Sequence, residues 1–98
     1  MSAFRDLDPL LHSQLRLSII SLLVSLKSAE FNYLVEKTGA TRGNVSVQIK
    51  KLEEAGYISV IKTFRKNYPL TTCRITDKGI QAFKQYVDSL RDYLDREV

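Results

Sequence analysis

Between positions 41 and 58 the chain reads TRGNVSVQIKKLEEAGYI. Hydrogen-bonding residues alternate there with apolar ones: Arg42, Asn44, Ser46, Gln48, Lys50 and Lys51 against Val45, Ile49 and Leu52. At about 100° per residue, a helix places Val45, Ile49 and Leu52 on one face. Gly43, Val47, Lys50, Lys51 and Glu54 then point the other way, with Asn44, Ser46 and Gln48 on the flanks. The chemistry available to such a face is recognition of base edges. Asn and Gln can pair with adenine, Arg and Lys with guanine, and Val47 can touch a thymine methyl. Thr41 and Ser46 can reach phosphates. Gly43, with no side chain, lets the helix start approach a backbone closely.

Charge placement agrees with that use. The net charge is +4 over 98 residues. Residues 1–40 balance to zero, and residues 77–98 carry one acidic group more than basic. The excess sits in residues 41–74, where Arg42, Lys50, Lys51, Lys62, Arg65, Lys66 and Arg74 face only Glu53 and Glu54. A local basic patch is the electrostatic footprint of nucleic-acid binding, although scattered lysines can also be a solvated face.

Other chemistry has little support. His12 reads as a helix-surface or interface residue, and Cys73 as a small buried or half-buried strand residue. A Cys–His dyad would need a third group to orient the imidazole, and nothing in the sequence supplies one. There is no phosphate-cradling glycine loop and no metal-ligand spacing, so no catalytic site, metal or cofactor is expected. The single cysteine rules out an intramolecular disulfide framework. A reducing cytoplasm is the simplest compartment. The apolar run Ile19–Val24 is too short to span a bilayer, and the N-terminus lacks a signal-peptide layout.

The elements that must position the recognition face follow from periodicity. Asp8-Pro9 starts a helix, and Leu11, Leu15, Ile19, Leu22, Leu23 and Leu26 continue it to about residue 26. Ser28 caps a short second helix bearing Phe31, Leu34 and Val35, which Gly39 ends. Only Ala40 separates Gly39 from Thr41, the cap of the third helix. Two helices joined by a three- or four-residue glycine turn are the layout of a helix-turn-helix. Tyr57 to Phe64 and Leu70 to Thr76 are β-branched and aromatic, so they read as a hairpin, with residues 65–69 as a basic loop at its tip. Thr76 or Asp77 caps the last helix, where Ile80, Phe83, Val87, Leu90 and Leu94 are spaced 3, 4, 3, 4 as a heptad seam.

The run from the first helix to Gly79, carried by TRGNVSVQIKKLEEAGYI and CRITDKG, resembles the MarR/ArsR-like winged-helix transcriptional regulators. It is especially similar to the small stand-alone winged-helix regulators of bacteria and archaea. The resemblance implies an α+β, mostly helical fold: a winged helix-turn-helix followed by a long C-terminal dimerisation helix. On this reading the whole chain, 1–98, is a single domain, with the helix-turn-helix at about 29–55, the wing at about 57–76 and the last helix at about 77–96. Arg42 to Lys51 match the family's recognition helix, and Arg65, Lys66 and Asn67 match its wing. The expected DNA-contacting set is Thr41, Arg42, Gly43, Asn44, Ser46, Val47, Gln48, Lys50, Lys51, Lys62, Arg65, Lys66, Asn67 and Arg74. The expected dimer interface is Phe4, Leu7, Leu10, Leu11, Ile80, Phe83, Val87, Leu90, Tyr93 and Leu94. Val47 stands where many relatives place a polar base reader. Metal-sensing members cluster Cys, His and acidic ligands, and this chain's one Cys and one His lie far apart.

The expectation is therefore a sequence-specific, duplex-DNA-binding transcriptional regulator that acts as a homodimer on a palindromic operator. A small apolar effector between the first and last helices is left open. The alternative is a winged helix used only for protein contact, which would have no need of a basic recognition helix and wing.

Overall fold

The computed structural model describes residues 3–95. The elements run α1 (Gln14–Leu26), β1 (Ser28–Glu30), α2 (Phe31–Thr38), α3 (Arg42–Glu54), β2 (Ile58–Arg65), β3 (Tyr68–Ile75) and α4 (Asp77–Leu94). The strands form one antiparallel sheet in the order β1-β3-β2. This is a winged helix with a long C-terminal helix.

Three boundaries differ from the expectation. Asp8-Pro9 begins a single turn, not α1. The amides of Leu11 and His12 both donate to the Asp8 carbonyl (3.1 and 2.9 Å), and the amide of Leu10 donates to Asp8 Oδ1 at 2.9 Å. Ser13 then returns the backbone to an extended conformation and caps α1 through the amide of Arg16. Secondly, Ser28 caps no helix. It opens β1, which pairs Ser28, Ala29 and Glu30 with Arg74, Cys73 and Thr72. Three residues carry no readable alternation, and their partner lies more than forty positions away. The N-cap of α2 is Glu30, which makes no side-chain cap bond. Thirdly, residues 65–69 are not a loop. The strands run on to Arg65 and Tyr68, leaving Lys66 and Asn67 as a two-residue turn, both with positive φ (50° and 68°). Such a turn matches the twist of its strands, and Asn is among the residues that tolerate it. Pro69 is accommodated because β1 stops at the level of Thr72, so β3 has an open edge there.

The other ends follow their residue chemistry. Gly39 closes α2 in the left-handed region (φ 70°), as an αL cap requires. Thr41 Oγ1 accepts from the amide of Asn44 at 3.1 Å and starts α3. Thr76 Oγ1 accepts from Gly79 N at 3.0 Å and donates to the Gly56 carbonyl at 2.6 Å, so α4 starts against the end of the α3–β2 turn. Gly79 is required there by space. A Cβ at this position would lie 2.2 Å from the Tyr57 carbonyl oxygen.

One apolar cluster ties these elements together. Leu11, Ile19, Ile20 and Leu23 meet Leu34 of α2, Val45, Ile49 and Leu52 of α3, Ile58, Cys73 and Ile75 of the sheet, and Tyr86 of α4. The predicted apolar face of α3 is thus the buried one. Beyond this cluster the chain is drawn out. The extents are 58 × 25 × 20 Å and the radius of gyration is 15.1 Å, against about 13 Å for a compact domain of 100 residues. No described helix is long and apolar enough to cross a membrane.

Candidate nucleic-acid interface

With Val45, Ile49 and Leu52 buried, α3 turns its other side to solvent. Arg42, Gly43, Asn44, Ser46, Val47, Lys50 and Lys51 are all exposed, and Gln48 is half-buried. Val47 keeps 51% of its surface. Nothing lies within 4 Å of where a Cβ on Gly43 would stand, so the start of α3 is open to close approach.

Register decides which wing residues share this side. Ile58, Cys73 and Ile75 point into the core, so Val60, Lys62 and Phe64 of β2 and Thr71 of β3 continue the same face. That face and α3 enclose a cleft of about 540 Å³ lined by Phe31, Arg42, Ser46, Val47, Lys50 and Lys62, among others. Lys66 and Asn67 form the tip. Arg74 does not join them. It pairs with Ser59 and Ser28 on the opposite sheet face, at the base of the hairpin. Its charge and its place on a hairpin strand suggest its inclusion, but strand alternation turns it away from α3.

Several of the basic side chains already have partners. Arg42 Nη1 donates to Asn32 Oδ1 at 2.5 Å, and its guanidinium lies 4.9 Å from the Phe31 ring centre. Arg65 lies on the same sheet face as Arg74, at the hairpin's far end, and pairs there with Glu30 at 2.6 Å. Gln48 Oε1 accepts from Arg16 Nη1 at 2.6 Å, and Gln48 Nε2 donates to Asn44 Oδ1 at 2.9 Å. Arg16, Glu30 and Asn32 were not singled out in the sequence, because each acts from a different element. The wing also exposes Phe64 (77%) and Tyr68 (76%). Phe64 reads in the sequence as ordinary strand patterning and Tyr68 as part of the loop, and only the register shows that no core reaches either.

The expected dimer surface divides. Leu11 is fully buried in the chain's own core and cannot form an interface. It lies in the Asp8 turn, not on the helix face that was expected to present it. Leu7, Leu10, Ile80, Phe83 and Leu90 pack partly against that same core. Tyr86 and Ser89 are the most buried large and polar residues of α4, so the core-facing stripe lies beside the heptad seam. Val87 is half-buried outside the cluster, and Leu94 is 70% exposed. The N-terminal arm lies on the far half of α4. Arg5 bonds Asp88 and Asp92, each at 2.9 Å, the Tyr93 hydroxyl donates to the Arg5 carbonyl at 3.2 Å, and the Phe4 and Tyr93 rings sit 4.7 Å apart. The Arg5 hydrogen bonds hold the Asp92 carboxyl down to about 2 and raise the guanidinium's own value.

The two residues weighed for other chemistry have structural surroundings. His12 Nδ1 lies 3.1 Å from the Tyr86 hydroxyl. Cys73 is fully buried, and burial, followed by the charge of Glu53, pushes its thiol up to about 11. A thiol so held is a poor nucleophile. Among the described residues no group of three His, Cys, Asp or Glu side chains could hold a metal ion.

Comparison with known proteins meets this geometry. Residues 15–94 match the family described as winged helix DNA-binding domain. An uncharacterised protein of Methanocaldococcus jannaschii is 43% identical over 76 residues, 78% of this chain and 83% of that one. The transcriptional regulator homologue of Pyrococcus horikoshii superposes with a TM-score of 0.82 at 29% identity, over 88% of this chain and 85% of that chain. The regulator BldR of Sulfolobus solfataricus has a TM-score of 0.71 at 24% identity, over 85% of this chain and 58% of its own, and shows the fold alone.

Proposed function

This chain belongs to the winged helix DNA-binding domain family, and we propose that it is a sequence-specific transcriptional regulator that binds a palindromic operator as a homodimer. The observation that carries the proposal is the single face formed by α3 and the inner side of the wing. It gathers Arg42, Ser46, Val47, Lys50 and Lys62 at one cleft, with Asn44 exposed on the other flank of α3 and Lys66 and Asn67 at the wing tip. The exposed start of a recognition helix is the part that meets base edges in the major groove. The wing supplies phosphate or minor-groove contacts, which position the protein without specifying sequence.

Dimerisation rests on α4. Eighteen residues at about 1.5 Å each make a rod near 27 Å, and its far end leaves Leu94 largely uncovered. A two-fold axis along this end would set two copies of α3 about one DNA turn apart, near 34 Å. The first test is retention on heparin and on random duplex at low salt. Retention that fades as salt rises is the expected result. Passage through both columns unretained would favour a winged helix used for protein contact.

A further inference from the structure

The geometry points to Arg16, on α1 and outside the expected interface, as the positioning residue that orients the base-reading amide of Asn44 through Gln48. This rests on the proposed reading of α3 as the recognition helix. Arg16 is half-buried and anchored by its Nε, which donates to the Leu10 carbonyl at 2.6 Å. Its Nη1 donates to Gln48 Oε1, also at 2.6 Å. Gln48 Nε2 donates in turn to Asn44 Oδ1 at 2.9 Å, one helical turn back.

The direction of this chain is forced. A guanidinium has donors and no acceptor. The Gln48 amide must therefore present its oxygen to Arg16, which leaves its nitrogen toward Asn44. Asn44 must then present its oxygen to that nitrogen, and its NH2 group is turned to the open side. A bidentate adenine contact needs an amide that offers donor and acceptor together. Gln48 is half-buried, with its oxygen turned inward to Arg16 and one amide hydrogen spent on Asn44, whereas the exposed Asn44 keeps both amide hydrogens and the second lone pair of its oxygen. Gln48 is a transmitter here and not a reader. Asn44 is the exposed reader, and its amide arrives at the groove already oriented, so less side-chain freedom is lost on binding.

Selection from a random duplex pool tests this with four proteins: wild type, Asn44→Ala, Arg16→Met and Gln48→Met. The expected result is that all three variants relax preference at the same base pair, by about tenfold. Arg16→Lys, which keeps a donor, should restore part of it. The salt dependence of Arg16→Met should match the wild type, because no phosphate contact has been removed. An unaltered preference in both Arg16→Met and Gln48→Met overturns the inference. So does a Gln48→Met effect at a base pair different from the Asn44→Ala effect, which would make Gln48 a reader in its own right. A uniform loss across sequences with a shallower salt slope in Arg16→Met would place Arg16 on a phosphate instead. If Arg16→Met fails to fold, Gln48→Met on the flank of α3 decides alone. A wild type that enriches no sequence overturns the DNA reading itself and this inference with it.

Discussion

The Tyr57 hydroxyl donates a 2.5 Å hydrogen bond to Asp8 Oδ2, across 49 positions of sequence. The same residue's amide donates to Leu52 at the end of α3, and its carbonyl accepts from Thr76 at the start of α4. Tyr57 therefore joins the N-terminal turn, the end of α3, the start of β2 and the start of α4. It is the junction at which α3, the sheet and α4 meet.

Removing the hydroxyl should loosen it. Tyr57→Phe leaves Asp8 without that donor and should cost about 1 kcal/mol in urea unfolding. Partial burial and then the Asp8 contact push the Tyr57 phenol up to about 12, from an ordinary 10.0. The fold therefore favours the neutral phenol. Its contribution is full below pH 10 and is lost as pH rises from 10 toward 12. The alkaline fall in stability should be shallower in Tyr57→Phe than in the wild type. Identical profiles would remove the hydrogen bond from the account.

At the wing, Lys66 and Arg65 should behave differently. Lys66 sits at the tip, whereas Arg65 is tied to Glu30. An exposed pair of this kind is worth about 0–1 kcal/mol, so a phosphate can compete for the arginine. Lys66→Gln should weaken binding to all duplexes alike and reduce the salt slope by about 0.9. Glu30→Gln should strengthen binding to all duplexes a few-fold, because it frees Arg65 and removes a nearby negative charge. Wild-type affinity in both variants would take the wing out of the interface.

For the proposed dimer, the informative positions are Val87 and Leu94, since Leu90 also serves the chain's own core. Changing both to Asp should yield folded monomers and a steep loss of operator affinity. Sedimentation at tens of micromolar checks it. A monomeric wild type, or a dimeric double variant, would show that α4 is not the dimerisation element.

Much of this architecture was legible in local patterns. Thr41, Gly39, Gly56 and Thr76 mark helix ends by their own chemistry, and the 3-and-4 spacing of Val45, Ile49 and Leu52 located the buried side of α3. What stayed hidden depends on distant partners. Strand β1 exists only because Thr72–Arg74 lie beside it. The Ser13 restart of α1 was masked by the stronger Asp8-Pro9 signal one turn earlier. Within the candidate interface, residue type named the hydrogen-bonding groups but could not say which were already engaged. Gln48 and Arg65 looked free because Arg16 and Glu30 are 32 and 35 positions away. Arg74 looked like part of the wing because charge was counted along the chain, while the pleat alternates faces.

The proposed function stands or falls on whether the exposed side of α3 reads DNA sequence. Selecting bound duplexes from a random pool with the wild-type protein, in parallel with Asn44→Ala, tests it most directly. The expected result is a palindromic motif for the wild type, with half-sites about one helical turn apart, and a loss of discrimination worth roughly 1–3 kcal/mol at one base pair of each half-site in the variant. Recovery of the same motif with the same affinities by both proteins, or of no motif by either, would contradict it.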